Sequence, residues 1–293
     1  MKKSLVLLAI LLGSLSWISW NKNSYTGNNR TIEEVISCYN METINAYQKE
    51  ASSVPFALLH QNARKIENYQ ELGKMINFQT EDGKEGSAYF IAAKKKTNNW
   101  LIVIQEWWGL NDNIKKEADT YYKDLGNMNV LAVDMYDGKI ATTSDSAMKL
   151  MRGADMKRMV SIIQGAIEHA GKNSNIYSVG WCFGGMWSLQ TAILAGSKAK
   201  GSIMFYGRPE TNIEKLKTLN CDIIGFFGNK DQSPSPVVVS EFEKNMQIAN
   251  KKLETHKYEA GHGFANPSNP SFNAEAAADA YKKAIAFLKS HSK

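Results

Sequence analysis

Three side chains that could supply a nucleophile, an orienting carboxylate and a proton-moving imidazole occur along the chain in that order, Cys182, Asp231 and His262, each just beyond an apolar run. Cys182 lies in Gly180-Trp181-Cys182-Phe183-Gly184-Gly185, between the strand-like Asn175 to Val179 and a segment apolar on nearly every side. Strand, G-x-C-x-G, helix is the pattern that lifts a nucleophile onto a tight turn, with cysteine in the serine position. Glycines at 180 and 184 let neighbouring backbones pass where side chains would collide. A cysteine at a helix start also meets the positive end of the helix dipole, which favours a thiolate, and the N–H of Phe183 can face an oxyanion. Taken by itself, such a turn suits a structural cysteine equally well.

Asp231 closes Gly228-Asn229-Lys230-Asp231 after the strand-like run 222–227, and His262 sits in Ala260-Gly261-His262-Gly263-Phe264 after the run 254–258. Alone, the aspartate reads as a turn residue and the histidine as a hydrogen-bonded loop residue. Together they reproduce the nucleophile, acid, histidine order of α/β hydrolases, in which the carboxylate orients the imidazole and the imidazole moves the proton. His60, His169, His256 and His291 have no comparable setting. A fourth element is Gln105-Glu106-Trp107-Trp108-Gly109-Leu110-Asn111, directly after the apolar run 100–104. A carboxylate there points toward the same cleft, Trp107 and Trp108 read as a packed wall partly lining it, and the backbone N–H of Trp107 is placed to be a second oxyanion donor.

These residues need a scaffold. From Met75 onward strand-like and helix-like segments alternate, which predicts an α/β fold with a mostly parallel sheet. Two early strands, 75–79 and 87–92, flank the turn at Glu81-Asp82-Gly83. The runs 100–104 and 130–133 are apolar at every position, as strands covered on both faces are. Asn111 or Asn113 caps a helix whose Ile114, Ala118, Tyr121 and Leu125 recur at helical spacing before Gly126. Helical segments fill 144–169, a buried helix follows the cysteine turn, strands fall at 201–206, 222–227 and 254–258, and helices at 236–250 and 274–289.

The chain has 293 residues, is 43% hydrophobic and carries a formal charge of +6. Its lysines lie in short scattered runs without interleaved aromatics, so nucleic acid is not the expected partner. Met1 to Trp17 has a basic start, an apolar core and small residues beyond it, the pattern of an export signal or, since Ile18 and Trp20 extend it, of an N-terminal anchor. An exported, periplasmic or secreted location follows, with membrane association only if that segment is retained. Residues 21–30 read as a linker, Thr31 to about Lys49 as a capped amphipathic helix, and 21–74 as a helical extension bracing or covering a catalytic domain at 75–293. Cys38, Cys182 and Cys221 are too few for a disulfide framework. Cys38 and Cys221 could pair in an oxidising compartment, although Cys221, at the start of a strand, reads better as a small buried apolar residue.

The motifs QEWWGLN (105–111), GWCFGG (180–185), GNKDQ (228–232) and AGHGFANP (260–267) resemble those of the dienelactone hydrolase family, over about residues 75–290. The resemblance implies the α/β-hydrolase fold, a mostly parallel sheet flanked by helices, and ester or lactone hydrolysis. No cofactor is expected, and the chain is expected to be a monomer. It implies Cys182 as nucleophile, His262 and Asp231 as its partners, and Glu106 as a carboxylate that contacts the thiol and helps ionise it when substrate binds. The family's arginine just after the motif histidine has no counterpart in HGFANPSNPSF. Lys139 and Arg208 are the candidate substitutes, with Trp108 and Tyr136 as further substrate contacts, and a general carboxylic ester or lactone is expected ahead of a dienelactone. A small-molecule binding or sensory protein keeping the fold is the alternative, and a zinc site built from Cys182, His262, Asp231 and Glu106 is a third reading.

Overall fold

A computed structural model describes residues 69–292. Eight strands form one sheet: β1 (Lys74–Gln79), β2 (Glu85–Ile91), β3 (Asn99–Ile104), β4 (Asn129–Val133), β5 (Asn175–Trp181), β6 (Ala199–Phe205), β7 (Ile223–Gly228) and β8 (Leu253–Tyr258). Their spatial order is β1-β2-β4-β3-β5-β6-β7-β8. The β1–β2 and β2–β4 pairs are antiparallel and all others parallel. This is the mostly parallel sheet expected from the alternation of elements.

Parallel strands need crossovers, and the helices supply them. They are α1 (Asp112–Leu125), α2 (Ser144–Arg152), α3 (Met156–His169), α4 (Phe183–Ala195), α5 (Ile213–Lys217), α6 (Pro236–Ile248) and α7 (Ala274–His291). α3 and α4 pack together on one face of the sheet, α1 and α7 on the other. With both faces covered, Leu101 to Ile104 and Val130 to Val133 are wholly buried, which accounts for their unbroken apolar sequence. From β3 the chain crosses to β4 on one side and then returns to β5 on the other, so a crevice opens beyond the carboxyl ends of β3 and β5. The loop carrying Glu106 and the turn carrying Cys182 both begin there.

Asn111 caps α1, its side chain accepting from the N–H of Ile114, and Gly126 ends it at φ 77°. The helical stretch 144–169 is two helices, interrupted at Gly153-Ala154 and restarted by the Asp155 cap. The short α5, capped by Asn212, carries too little periodicity to be read from sequence. Cys221 precedes β7 and is partly exposed, a correction to its reading as the buried start of that strand. Burial and then neighbouring Asp222 push its thiol up to about 12. At the start of the described chain, the hydroxyls of Tyr69 and Tyr89 each donate to Asp119 of α1 at 2.7 Å, fastening this segment to the domain. The export signal, the linker, the helical extension as far as residue 68 and Cys38 lie outside the described residues. Among those described, no helix is long and apolar enough to cross a membrane.

Candidate active site

Cys182 stands between β5 and α4 at φ 55° and ψ −116°, a conformation that favours glycine and costs about 1–3 kcal/mol for other residues. Packing compels it. Its N–H donates to the Phe205 carbonyl at 2.9 Å, and its carbonyl accepts from Met186 N–H at 3.2 Å. A Cβ on Gly180 would lie 2.1 Å from the Gly184 carbonyl oxygen, and one on Gly184 would lie 2.3 Å from that of Ile104. Both glycines therefore serve close backbone approach, and the cysteine side chain, 1% exposed, is aimed by the main chain.

His262 Nδ1 lies 2.8 Å from Asp231 Oδ2, with both side chains buried. The other Asp231 oxygen accepts from the Ser233 N–H at 2.7 Å, so the carboxylate is fixed before it fixes the ring. The Cys182 sulfur acts on the same imidazole. Burial disfavours the imidazolium, but the negative field of Asp231 and the Cys182 sulfur outweighs it and holds His262 well above its ordinary value. The structure thus brings Cys182, His262 and Asp231, from the ends of β5, β8 and β7, into one buried line.

Beside them is a cavity of 310 Å³ whose lining includes Glu106, Asn113, Glu117, Trp181, Asn266 and Ser268. Glu106 accepts a 2.7 Å hydrogen bond from the Asn266 amide rather than one from the thiol. Burial pushes Glu106 up to about 7, with His262 and Asn266 pulling the other way and Glu117 adding to the rise. Glu117 is likewise pushed to about 7, by burial against the opposing charge of Lys116. Two carboxyls that exchange protons near neutrality therefore share this cavity.

Tyr136, after β4, is buried with its ring 5.7 Å from that of Phe183. Trp107 and Trp108 are buried against each other at 5.0 Å, and the Trp108 carbonyl accepts from Ala141 N–H, so both form a wall. The backbone of Phe183 opens α4 and that of Trp107 follows Glu106 in the loop after β3. Lys139 is exposed and Arg208 is partly buried, and neither lines the cavity. Its lysine is the exposed Lys116.

Sequence reasoning missed Trp181, Glu117, Asn266 and Tyr206. Trp181 sits inside the cysteine motif itself. Asn113 and Glu117 are four residues apart and so share a face of α1, a spacing visible in the sequence. Tyr206 has φ 38° immediately after β6, and its ring meets that of His262 edge-on at 5.1 Å.

The fold, with its tight strand-to-helix turn at Cys182, is that of an α/β hydrolase. The model of the dienelactone hydrolase family matches residues 87–292, and the chain belongs to that family. Carboxymethylenebutenolidase 1 of Cupriavidus pinatubonensis is 28% identical over 206 residues, covering 64% of this chain and 84% of that protein. Carboxymethylenebutenolidase of Pseudomonas putida is 27% identical over 231 residues, 73% of this chain and 94% of its own. Among solved structures, the dienelactone hydrolase-like promiscuous phosphotriesterase P91 from metagenomic libraries superposes with a TM-score of 0.64 at 19% identity, covering 75% of this chain and 99% of that one. The protein is a hydrolase of the dienelactone hydrolase-like class.

Proposed function

We propose that this hydrolase cleaves carboxylic esters or lactones through a thioacyl intermediate on Cys182. The observation that carries the reading is the buried line from Asp231 through His262, at 2.8 Å, to the cysteine on its strained turn. The thiol proton passes to His262 as the sulfur bonds to the carbonyl carbon. The oxyanion that forms is held by the backbone N–H groups of Phe183 and Trp107. As the tetrahedral centre collapses, the ester C–O bond breaks and His262 returns the proton to the departing oxygen. Water then attacks the thioester, giving a proton to His262. The C–S bond breaks, the sulfur takes that proton back, and the acid leaves.

Asp231 accompanies the imidazole throughout, stabilising the cation without receiving the proton. Glu106, with a proton affinity near neutrality, is suited to accepting a hydrogen bond from the thiol when a substrate displaces the Asn266 amide, loosening the proton that His262 then takes. The acidic cavity, lined by no arginine and by the single exposed Lys116, supports a general ester or lactone over a dicarboxylate substrate.

Cys182→Ala tests the reading on a panel of aryl esters, alkyl esters and lactones. It should lower kcat/KM by about 10³-fold or more, and mass spectrometry of quenched wild-type turnover should find an acyl group on Cys182. Equal hydrolysis by both proteins would refute it.

A further inference from the structure

The Tyr206 hydroxyl is buried and has no hydrogen-bond partner among the described residues, although its ring is tightly held. An orphaned phenol is costly, and the fold does nothing to relieve it. The backbone around it is locked instead. Tyr206 N–H donates to the Phe226 carbonyl at 2.8 Å, and the preceding carbonyl, of Phe205, holds the N–H of Cys182. Following Gly207 packs so closely on the nucleophile turn that a Cβ there would lie 2.3 Å from the Gly185 carbonyl carbon. The residue is held at φ 38°, in the left-handed region, where strain in a tyrosine calls for an explanation.

The Tyr206 ring abuts His262 edge-on, and the charged groups acting on its hydroxyl are, in order of effect, Glu106, Cys182, Glu117 and Asp231. The ring therefore lies against the imidazole, and its hydroxyl feels the sulfur without being hydrogen-bonded to it. A substrate oxygen fits that relation. The amides of Phe183 and Trp107 serve the carbonyl oxygen, whereas the imidazole serves the oxygen that departs.

We propose that Tyr206 is a catalytic residue whose hydroxyl donates a hydrogen bond to the departing oxygen of the ester, beside His262. The inference rests on hydrolysis through Cys182 and adds a second donor at one atom of that reaction. No proton is transferred by the phenol: His262 supplies the proton, and Tyr206 shares the negative charge while the C–O bond breaks. Help of this kind matters most for poor leaving groups, because an alkoxide concentrates charge that a nitrophenolate disperses.

The test is a series of acetate esters from p-nitrophenyl through phenyl to ethyl, read as kcat/KM for wild type, Tyr206→Phe and Cys182→Ala. Tyr206→Phe should lose about 10–100-fold on ethyl acetate and less than about 3-fold on p-nitrophenyl acetate, steepening the dependence on leaving-group acidity. Iodoacetamide should alkylate Cys182 at the wild-type rate, and thermal stability should be equal or higher, since the hydroxyl removed has no partner. Equal losses across the series, no loss at all, or a clear fall in stability would each overturn the proposal. Hydrolysis independent of Cys182 would remove it together with the mechanism it rests on. Cys182-dependent hydrolysis with an unchanged leaving-group dependence removes the Tyr206 role alone.

Discussion

Two of the places where the domain buries charge treat it in opposite ways. Behind the β1–β2 turn, Arg158 of α3 donates to Asp137 at 2.6 Å, to Thr80 at 2.8 Å, to Asp82 at 3.1 Å and to the Glu85 carbonyl at 2.5 Å. Burial works against the Asp82 carboxylate, but hydrogen bonds from Thr80 and the Lys84 N–H, with the Arg158 charge, hold it below its ordinary range. In the cavity near Cys182, Glu106 has one amide partner and the like charge of Glu117 beside it, and burial pushes both carboxyls to about 7. A network that closes on itself joins elements. One left with open valences is costly to the fold, and its reward lies in what it does to a bound molecule.

That contrast can be broken by three substitutions. Arg158→Ala should have the largest effect, about 2–4 kcal/mol of stability, because it strands two carboxylates and a carbonyl that the guanidinium serves together. The remaining folded enzyme should keep near-normal kcat/KM. Urea titration with activity measured per folded molecule checks both, and a loss of activity beyond the loss of folded protein would join the two clusters functionally.

Glu106→Gln should do the reverse. The folded carboxyl titrates at about 7, above its ordinary 4.5, so the cost of ionising it is absent below about pH 4.5 and complete above about pH 7. Glutamine escapes that cost. The variant should match wild type near pH 4.5 and exceed it by on the order of 2–3 kcal/mol at pH 8.5, while its kcat/KM falls. Unfolding measured across that range would show a stability difference that grows with pH. A constant difference would mean that the carboxyl is not the strained group described.

Glu117→Gln should show the same pattern weakened to about 1 kcal/mol, since Glu117 is partly open to solvent and Lys116 opposes the shift. It should also bring the apparent Glu106 value down by relieving a like charge, read from the pH profile of kcat/KM. An unmoved profile would separate the two carboxyls.

Much of this protein is legible along the chain. Unbroken apolar runs at 101–104 and 130–133 report burial on both faces, and the Asn111 and Gly126 caps bound α1 as their chemistry requires. The break at Gly153-Ala154 and the five-residue α5 escaped because neither carries enough periodicity to stand out against its neighbours. Cys182, Asp231, His262 and Glu106 stood out along the chain because each follows the end of a strand by one to four residues. Trp181, Glu117, Asn266 and Tyr206 did not, since a tryptophan in a turn, an acid on a helix, an amide in a loop and a tyrosine after a strand each have an ordinary reading.

The sequence by itself determined the alternation of elements, the order cysteine, acid, histidine, and the glycines without which the turn at Cys182 cannot close. These are local properties, written in spacing and in the sizes of adjacent side chains. Only the tertiary structure decided that Glu106 would rest on Asn266, that Glu117 would share its cavity and that the Tyr206 hydroxyl would be left unpartnered beside His262. Proton affinity and hydrogen-bond vacancy depend on which distant segments remove water from a group, and no stretch of neighbouring residues specifies that.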